Sequence, residues 1–260
     1  MTRLARAFGG RKALIPFLTG GDPDFSTTAA LVRALARAGA DLVEIGVPFS
    51  DPVAEGPVIE AADGRALAAG ANVDGLFDLV AVLRADLDLP LVFMTYYNPV
   101  FVYGVDRFLA RAAETGLDGL IVPDLPFEES AELAGPAAAY GLPLIPMVAP
   151  TTSDDRLAAV AASAAGFVYC VSSMGVTGVR DQLGDDAARL IAKIRTHSDI
   201  PCAVGFGIST PAQAKAMAAV ADGVIVGSAI VRIIAEHGRA AAPHVERFAG
   251  ELRAALDEAA

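Results

Sequence analysis

A strand followed by a helix occurs eight times along this chain, and that repetition restricts its possible folds more than any other feature. Short apolar runs typical of buried strands alternate with longer amphipathic runs typical of helices. Each predicted strand is followed by a polar or glycine-containing loop. The strands are predicted over residues 13–18, 42–47, 91–95, 119–122, 142–148, 167–171, 202–205 and 224–226.

At least one helix is predicted after every strand. Ser26 is expected to cap the first of these, because a side-chain oxygen at that position can accept a hydrogen bond from a free backbone N–H. Two helices follow the second strand, and further helices are expected near both chain ends. The helices are predicted over residues 2–8, 26–38, 58–69, 75–85, 106–115, 128–140, 154–162, 185–196, 211–219, 229–236 and 243–258.

Eight strand–helix units within 260 residues are typical of a (β/α)8 TIM barrel, which is an α/β fold. A doubly wound open sheet is the alternative, but it normally carries a glycine-rich dinucleotide turn after its first strand. Here the first strand ends in TGGDPD, without GxGxxG, and no linker rich in Pro, Gly or Ser separates two halves. We therefore predict one TIM-barrel domain over residues 1–260, with an extra N-terminal helix and extra helical segments.

The charge balance limits the classes of partner. The chain has 31 acidic and 20 basic residues and a formal net charge of −11, which disfavours nucleic acid and anionic membranes. No signal peptide is recognisable, and no apolar run approaches the roughly 18 residues of a membrane span. Cys170 and Cys202 fall in strand-like apolar runs, which fits buried thiols better than a disulfide. We expect a soluble, cytoplasmic protein.

One carboxylate lies within an otherwise apolar strand. In the segment DLVEIGVPFSDPVAEGP, Glu44 shares its side of the strand with Leu42 and Gly46, while the alternate residues are Val and Ile. Ionising a buried carboxylate costs several kcal/mol unless it is paired or keeps its proton. If Val43, Ile45 and Val47 pack on the helices, Glu44 points into the barrel mouth. A carboxyl with a raised pKa is suited to proton transfer there. A buried ion pair is the structural alternative.

Polar residues, Tyr96 among them, cluster at the carboxyl ends of the predicted strands, where barrel enzymes have their active sites. The last three loops, SSMGVTGVR, GFGIST and GSAIV, each carry glycine and lead toward a helix. Barrels often bind phosphate with such loops and the amino end of a helix. Each glycine taken alone could simply serve a tight turn. Glycines in three neighbouring loops together favour phosphate binding.

The positions of the remaining functional side chains narrow the chemistry. The three lysines lie before the first strand or within helices, away from the barrel mouth, which disfavours a Schiff-base aldolase. The three histidines fall at helix ends, and no His, Asp and Glu residues have metal-ligand spacing. We expect carboxylate and tyrosine acid–base chemistry on a phosphorylated substrate, with no metal and no cofactor.

Seven motifs, in order, closely resemble the α subunit of tryptophan synthase. They are PFLTGGDPD, VEIGVPFSDPVAEGP, YYNPV, PDLPFEES, VYCVSSMGVTGVR, GFGIST and GSAIV. The resemblance covers nearly the whole chain. It implies a cofactor-independent carbon–carbon lyase that cleaves indole-3-glycerol phosphate by a retro-aldol reaction into indole and glyceraldehyde 3-phosphate, within tryptophan biosynthesis.

The resemblance also implies roles for individual residues. Glu44 corresponds to the glutamate that moves protons between the glycerol hydroxyl and indole C3. Glu55 occupies the position of a second carboxylate, which engages the indole N–H. Tyr96, at the end of the third predicted strand, is also expected to bind the substrate. The full set of expected substrate-binding residues is Tyr96, Tyr169, Thr177, Gly178, Gly207, Gly227 and Ser228.

Two residues depart from the family pattern. Glu55 stands where aspartate is usual, and Glu60 stands where glutamine is usual. Because the extra methylene of Glu55 displaces its carboxylate, shortening it to aspartate is expected to preserve or raise the rate. These changes leave three alternatives open: a stand-alone lyase that releases free indole, a weakly active binding or activating paralogue, and another phosphate-binding barrel such as an isomerase.

The resemblance further implies a partner. Members of the family form an α2β2 heterotetramer with a β subunit that uses pyridoxal phosphate and receives the indole. The loops after the second and third strands, including residues 52–57 and 98–101, are expected to lie near that contact. Packing of Val100 and Phe101 within their own loop is the alternative.

Overall fold

In a computed structural model, which describes residues 2–171, 182–205 and 207–259, parallel strands form a barrel surrounded by helices. Every strand pairing is parallel, and the order is β5-β4-β3-β2-β1-β9-β8-β7-β6. The predicted barrel is therefore confirmed. Its strands are β1 (Ala13–Thr19), β2 (Val43–Gly46), β3 (Leu91–Met94), β4 (Gly119–Ile121), β5 (Leu144–Ile145), β6 (Met147–Val148), β7 (Val168–Val171), β8 (Cys202–Gly205) and β9 (Gly223–Val226).

The fifth predicted strand, residues 142–148, is interrupted at Pro146. Proline has no N–H to donate to a strand ladder, and the ladder changes its partner strand at Pro146. The segment before it, β5, pairs with β4, and the segment after it, β6, pairs with β7. The carbonyl of Pro146 still accepts a hydrogen bond from the N–H of Tyr169 at 2.9 Å. One predicted strand thus becomes two short ones with different neighbours.

Helices cover the outside of the barrel, and one of them was not predicted. α5 begins in the YYNPV segment, which was expected to be a loop. Pro99 falls in the first turn of α5, where its missing N–H would have no helical partner in any case. The helices are α1 (Arg3–Arg6), α2 (Phe25–Arg37), α3 (Pro57–Ala68), α4 (Val73–Arg84), α5 (Tyr97–Tyr103), α6 (Val105–Thr115), α7 (Ala131–Ala139), α8 (Asp154–Ser163), α9 (Gln182–Arg195), α10 (Pro211–Ala218), α11 (Ser228–His237) and α12 (Ala242–Asp257), with a 3-10 segment at Gly238–Ala240.

The cap of α2 differs from the sequence-based expectation. Asp24, not Ser26, occupies the N-cap position, and its Oδ1 accepts a hydrogen bond from the N–H of Thr27 at 2.7 Å. The hydroxyl of Ser26 donates to the same oxygen at 2.8 Å. These donors hold the pKa of Asp24 well below its usual range. Asp24 takes the cap because α2 begins at Phe25, two residues before the first helical position that a cap at Ser26 implies.

Side chains alternate between the barrel interior and the layer of helices, as predicted for β2. Leu42 belongs to the interior apolar cluster, whereas Val43 and Ile45 belong to the cluster between strands and helices. Leu4 of α1 packs into the interior cluster and is 2% exposed. The short N-terminal helix therefore contributes to the barrel core, and Glu44 lies in the inward-facing row.

Within the part of the chain that the structure describes, no single helix is long and apolar enough to cross a membrane. The consecutive helices α3 and α4 meet that standard only when taken together, and they are bent by 95° at their junction.

Candidate active site

Glu44 is the central buried carboxyl of the site. It pairs in register with Phe17 of β1 and Val92 of β3, and it is 1% exposed. Neither carboxylate oxygen has a hydrogen-bond partner among the described residues. Burial raises its pKa to about 8, and the negative charge of Glu55 adds to the shift. Glu44 is therefore mostly a protonated acid at neutral pH, and no hydrogen-bond partner among the described residues holds its proton.

Tyr169 faces the same interior space from β7. It is 5% exposed, and burial and the charge of Glu44 raise the pKa of its hydroxyl well above the usual value. A Cβ atom at Gly205 would lie 2.4 Å from the Tyr169 Oη. The absence of a side chain at position 205 therefore makes room for this hydroxyl. The hydroxyl stays protonated and can donate a hydrogen bond to a ligand.

Glu55 lies on the loop between β2 and α3 and is held by Tyr96. The Tyr96 hydroxyl donates a hydrogen bond to Glu55 Oε2. The Tyr96 hydroxyl oxygen also accepts hydrogen bonds from the N–H groups of Val53 at 2.9 Å and Ala54 at 2.8 Å. Tyr96 is 3% exposed, and its ring packs against Phe49 with the ring centroids 5.3 Å apart. One fixed side chain thus holds both the loop backbone and its carboxylate.

The two carboxyl groups have different surroundings. Burial raises the pKa of Glu55 above its ordinary value, and the carboxylate of Asp124 also raises it. Glu55 keeps part of its solvent contact, whereas Glu44 has almost none. Since solvent stabilises the ionised form, the proton belongs on Glu44 and the negative charge on Glu55. Two neighbouring carboxyl groups with separated ionisation suit an acid and an electrostatic partner.

Gly207 and Gly227, from two of the glycine-containing loops, lie at the same end of the barrel. Gly207 follows β8 with φ +77°, a conformation that favours glycine, and Gly227 is the N-cap residue of α11. No side chain caps α11, which begins at Ser228 immediately after β9. The first N–H groups of a helix lack helical partners and attract anions. Thr177 and Gly178, the other expected substrate-binding residues, lie outside the described residues.

Two buried carboxyl groups beside the site were not among the predicted catalytic or substrate-binding residues, although Asp22 belongs to the polar residues predicted at the strand ends. Asp22, after β1, is 1% exposed and receives two hydrogen bonds from Arg65, at 2.9 and 2.7 Å. Asp63, on α3, is 4% exposed. The sequence did contain a signal for Asp63, because it shares one helical face with Ala62 and Ala66, which are also buried.

A cavity of about 580 Å³ opens at the opposite end of the barrel, where β1, β8 and β9 begin. Three of its charged groups already have partners: Arg195 bonds to Asp222 at 2.9 Å, and Lys12 donates to the carbonyl of Ala221 at 2.9 Å. Among the described residues that line it, there is no fully buried carboxyl without a partner such as Glu44 at the mouth.

Comparisons with known proteins agree over nearly the whole chain. The family described as tryptophan synthase alpha chain matches residues 5–259. The tryptophan synthase alpha chain of Lacticaseibacillus casei is 49% identical over 257 residues, which cover 99% of this chain and 96% of the relative. The solved tryptophan synthase alpha chain of Legionella pneumophila has a TM-score of 0.91 at 35% identity, with 99% and 98% of the two chains covered. A chain in the structure of the mutually activating tryptophan synthase a2b2 complex of Pyrococcus furiosus has a TM-score of 0.87 at 38% identity, with 94% and 98% covered.

Proposed function

The chain belongs to the tryptophan synthase alpha chain family, whose reaction is the cleavage of indole-3-glycerol phosphate, and on that premise we propose that Glu44 and Glu55 carry this reaction here. The observation that supports this assignment most directly is the buried, unpaired Glu44 carboxyl facing the barrel interior. Stand-alone and non-catalytic alternatives are not favoured by the comparisons.

Cleavage of the bond between indole C3 and the glycerol carbon requires one proton to move. Protonation of C3 converts the ring into a leaving group, and removal of the proton from the hydroxyl on the adjacent carbon forms the aldehyde. The electron pair of the broken bond returns to the ring and restores indole. Glu44 is protonated near neutral pH, so it donates to C3 and, once ionised, accepts the hydroxyl proton. The carboxyl is regenerated in its starting form.

Glu55 has the complementary task. Protonation of C3 places positive charge on the indole nitrogen, and a carboxylate near the N–H stabilises that charge. The hydrogen bond from Tyr96 fixes the Glu55 carboxylate and favours its ionised form. We assign Tyr96 a second role as part of the wall of the indole site, because its ring is buried against Phe49. Tyr169, which stays protonated, donates a hydrogen bond to the substrate from β7.

The phosphate group belongs at the glycine-containing end of the mouth. Gly227 and Ser228 offer backbone N–H groups at the start of α11, Gly207 offers one from the loop after β8, and Thr177 and Gly178 follow β7 in the sequence. Backbone dipoles at a helix start bind an anion without a basic side chain. This arrangement suits a chain with net charge −11, since the attraction is local.

We infer that the chain assembles with a β subunit into an α2β2 complex, as the Pyrococcus furiosus relative does. Three apolar side chains near the mouth support this: Val53, Phe101 and Val102 are 81, 65 and 76% exposed. The alternative was that Val100 and Phe101 pack within their own loop. Val100 is buried and Phe101 is exposed, so only Val100 packs inward. Exposed apolar groups at a site entrance are suited to a protein partner that receives an apolar product.

A cytoplasmic location is part of the proposal. Cys170 and Cys202 are buried free thiols on neighbouring strands, which fits a reducing compartment.

The deciding experiment is an indole-release assay on the purified chain, alone and with a β subunit. We expect indole and glyceraldehyde 3-phosphate in equal amounts, at a higher rate when the β subunit is present. Binding of indole-3-glycerol phosphate without release of indole under either condition would contradict the assignment.

A further inference from the structure

The Asp63 carboxyl joins α3, the helix that follows the Glu55 loop, to the end of β1. Its Oδ1 accepts a hydrogen bond from the Thr19 hydroxyl at 3.3 Å, and Thr19 is the last residue of β1. The backbone of Phe49, which opens the loop after β2, lowers the pKa of the Asp63 carboxyl. Asp63 itself belongs to α3. The chemistry described above leaves this buried side chain without a role.

The loop between β2 and α3 has few other attachments. Ser50 and Asp51 are exposed, and Val53 and Ala54 are exposed farther along. Tyr96 holds the second half of the loop through the N–H groups of residues 53 and 54. Asp63 ties the helix that follows the loop to β1 through Thr19. The position of Glu55 therefore depends on two side chains, Tyr96 from the residue just before α5 and Asp63 from α3.

The charged groups around Asp63 add to its link with Glu55. Glu55 faces it from the loop, and Asp22 faces it from the segment after β1. Arg65, on the same helix as Asp63, neutralises Asp22 through its two hydrogen bonds. Burial raises the pKa of Asp63 to about 7, and the charges of Glu55 and Asp22 contribute. Asp63 therefore has two acidic neighbours, Asp22 and Glu55. Among the described ion pairs, a basic side chain neutralises Asp22 but none neutralises Glu55.

We propose that Asp63 is a positioning residue: it fixes the loop against the end of β1 so that the Glu55 carboxylate reaches the indole nitrogen. The inference rests on the proposed function, because it assigns Asp63 an effect on that reaction through Glu55. Rate depends steeply on such placement, since a displacement of about 1 Å can cost about 100-fold.

A double-mutant cycle with Glu55 tests the link. Asp63→Ala and Thr19→Val are each measured in the wild type and in Glu55→Gln, by indole release in complex with a β subunit. We expect Asp63→Ala to lower kcat about 10- to 100-fold in the wild type but less than about threefold in the Glu55→Gln background. Equal losses in both backgrounds would mean that Asp63 acts on the fold in general, and would overturn the proposal.

Thr19→Val provides a second variant should Asp63→Ala fail to fold. It removes one donor to Asp63, preserves the shape of the side chain and leaves the carboxyl in place. We expect a smaller loss of kcat, about three- to tenfold, which again disappears in Glu55→Gln. Asp63→Asn retains an acceptor oxygen and should recover most of the activity lost in Asp63→Ala. An undiminished kcat in Thr19→Val would overturn the proposal.

Amide hydrogen exchange provides a readout that does not depend on turnover. In Asp63→Ala, the amides of Phe49 and Val53 should exchange at least about tenfold faster, because the loop loses an attachment. Asp106→Asn is the matched control, since Asp106 is an exposed carboxylate at the start of α6 and should leave these amides unchanged. Unchanged loop exchange in Asp63→Ala overturns the positioning role, whereas absence of indole release in the wild type overturns the proposed function alone.

Discussion

The Tyr96 hydroxyl donates a hydrogen bond to the Glu55 carboxylate and accepts two from the backbone of the loop on which Glu55 lies. The tyrosine thus fixes the carboxylate and the chain that presents it with one atom. The first two predictions follow from this arrangement.

Replacing Tyr96 by phenylalanine removes the hydroxyl and keeps the ring. Two backbone N–H groups and the Glu55 carboxylate then lose their shared partner, a loss of about 1–3 kcal/mol for buried groups. We expect kcat for indole release to fall about 10- to 100-fold. Tyr103→Phe is the control, because the Tyr103 hydroxyl bonds to exposed Asp74 on the outer surface. Comparable losses in both variants would remove Tyr96 from its assigned role.

Shortening Glu55 to aspartate tests why this chain carries the longer residue. The sequence alone predicts that aspartate preserves or raises the rate, whereas the contact with Tyr96 leads to the opposite expectation. Aspartate is shorter by one methylene, so it would draw the carboxylate back from the Tyr96 hydroxyl. We expect kcat to fall about tenfold, with an unchanged melting temperature. A faster variant would mean that the loop adapts to the shorter side chain.

Glu44→Gln keeps the size of the side chain and removes the transferable proton. We expect kcat to fall by at least about 100-fold, because the reaction loses its general acid and base. Substrate affinity should stay within about tenfold, since the phosphate and the ring are held by other groups. Single-turnover indole release and calorimetric binding measure the two quantities. A variant with the wild-type rate would exclude Glu44 from proton transfer.

The pH dependence of kcat/KM should be bell-shaped. Glu44 must hold its proton, so the rate falls as the pH rises through about 8. Glu55 must be ionised, so the rate also falls in acid, near a pKa that burial raises above its ordinary value. In Glu55→Gln, the charge that raises the pKa of Glu44 is gone, and the alkaline limb should move to lower pH. An alkaline limb at the same pH in both proteins would contradict coupling between the two carboxyl groups.

Glu44 should also make stability depend on pH. Between its ordinary value of 4.5 and about 8, the folded chain keeps a proton that the unfolded chain releases. The free energy of unfolding therefore falls as the pH rises through this window, by up to about 1.4 kcal/mol per pH unit. Glu44→Gln lacks this loss and should be more stable than the wild type at pH 8, with a smaller difference at pH 5. Urea unfolding at both pH values measures the free energy of unfolding of the two proteins, with exposed Glu114→Gln as the control.

The repeating pattern of the chain was sufficient to predict the barrel, and the alternation in β2 was sufficient to predict where Glu44 points. Both depend on a period that burial imposes on the sequence. The break at Pro146 and the extra helix α5 were missed, because proline permits a short interruption or a first helical turn as well as a loop. Choosing between these depends on neighbouring strands that local sequence does not specify.

The site was predictable only in part. Glu44 stands out because it is a carboxyl among apolar residues, but the contact between Tyr96 and Glu55 joins residues 41 positions apart. Asp63 lies in a helix whose alanines are too small to mark a buried face strongly. The placement of the phosphate group at Gly207, Gly227 and Ser228, with Tyr169 toward the ring, stays a prediction, as do the roles of Thr177 and Gly178.

The interruption at Pro146 has a consequence for how the barrel opens. β5 and β6 are the two ends of the hydrogen-bonded strand order, and they are consecutive in the chain. The circle is therefore completed by covalent continuity rather than by a ladder between two strands. Opening at this seam leaves the pairing of β1, β2 and β3 in place, so the strand that bears Glu44 lies away from it. Tyr169, by contrast, donates its backbone N–H to Pro146 at the seam, so local fraying there would displace the tyrosine and leave the proton donor in place.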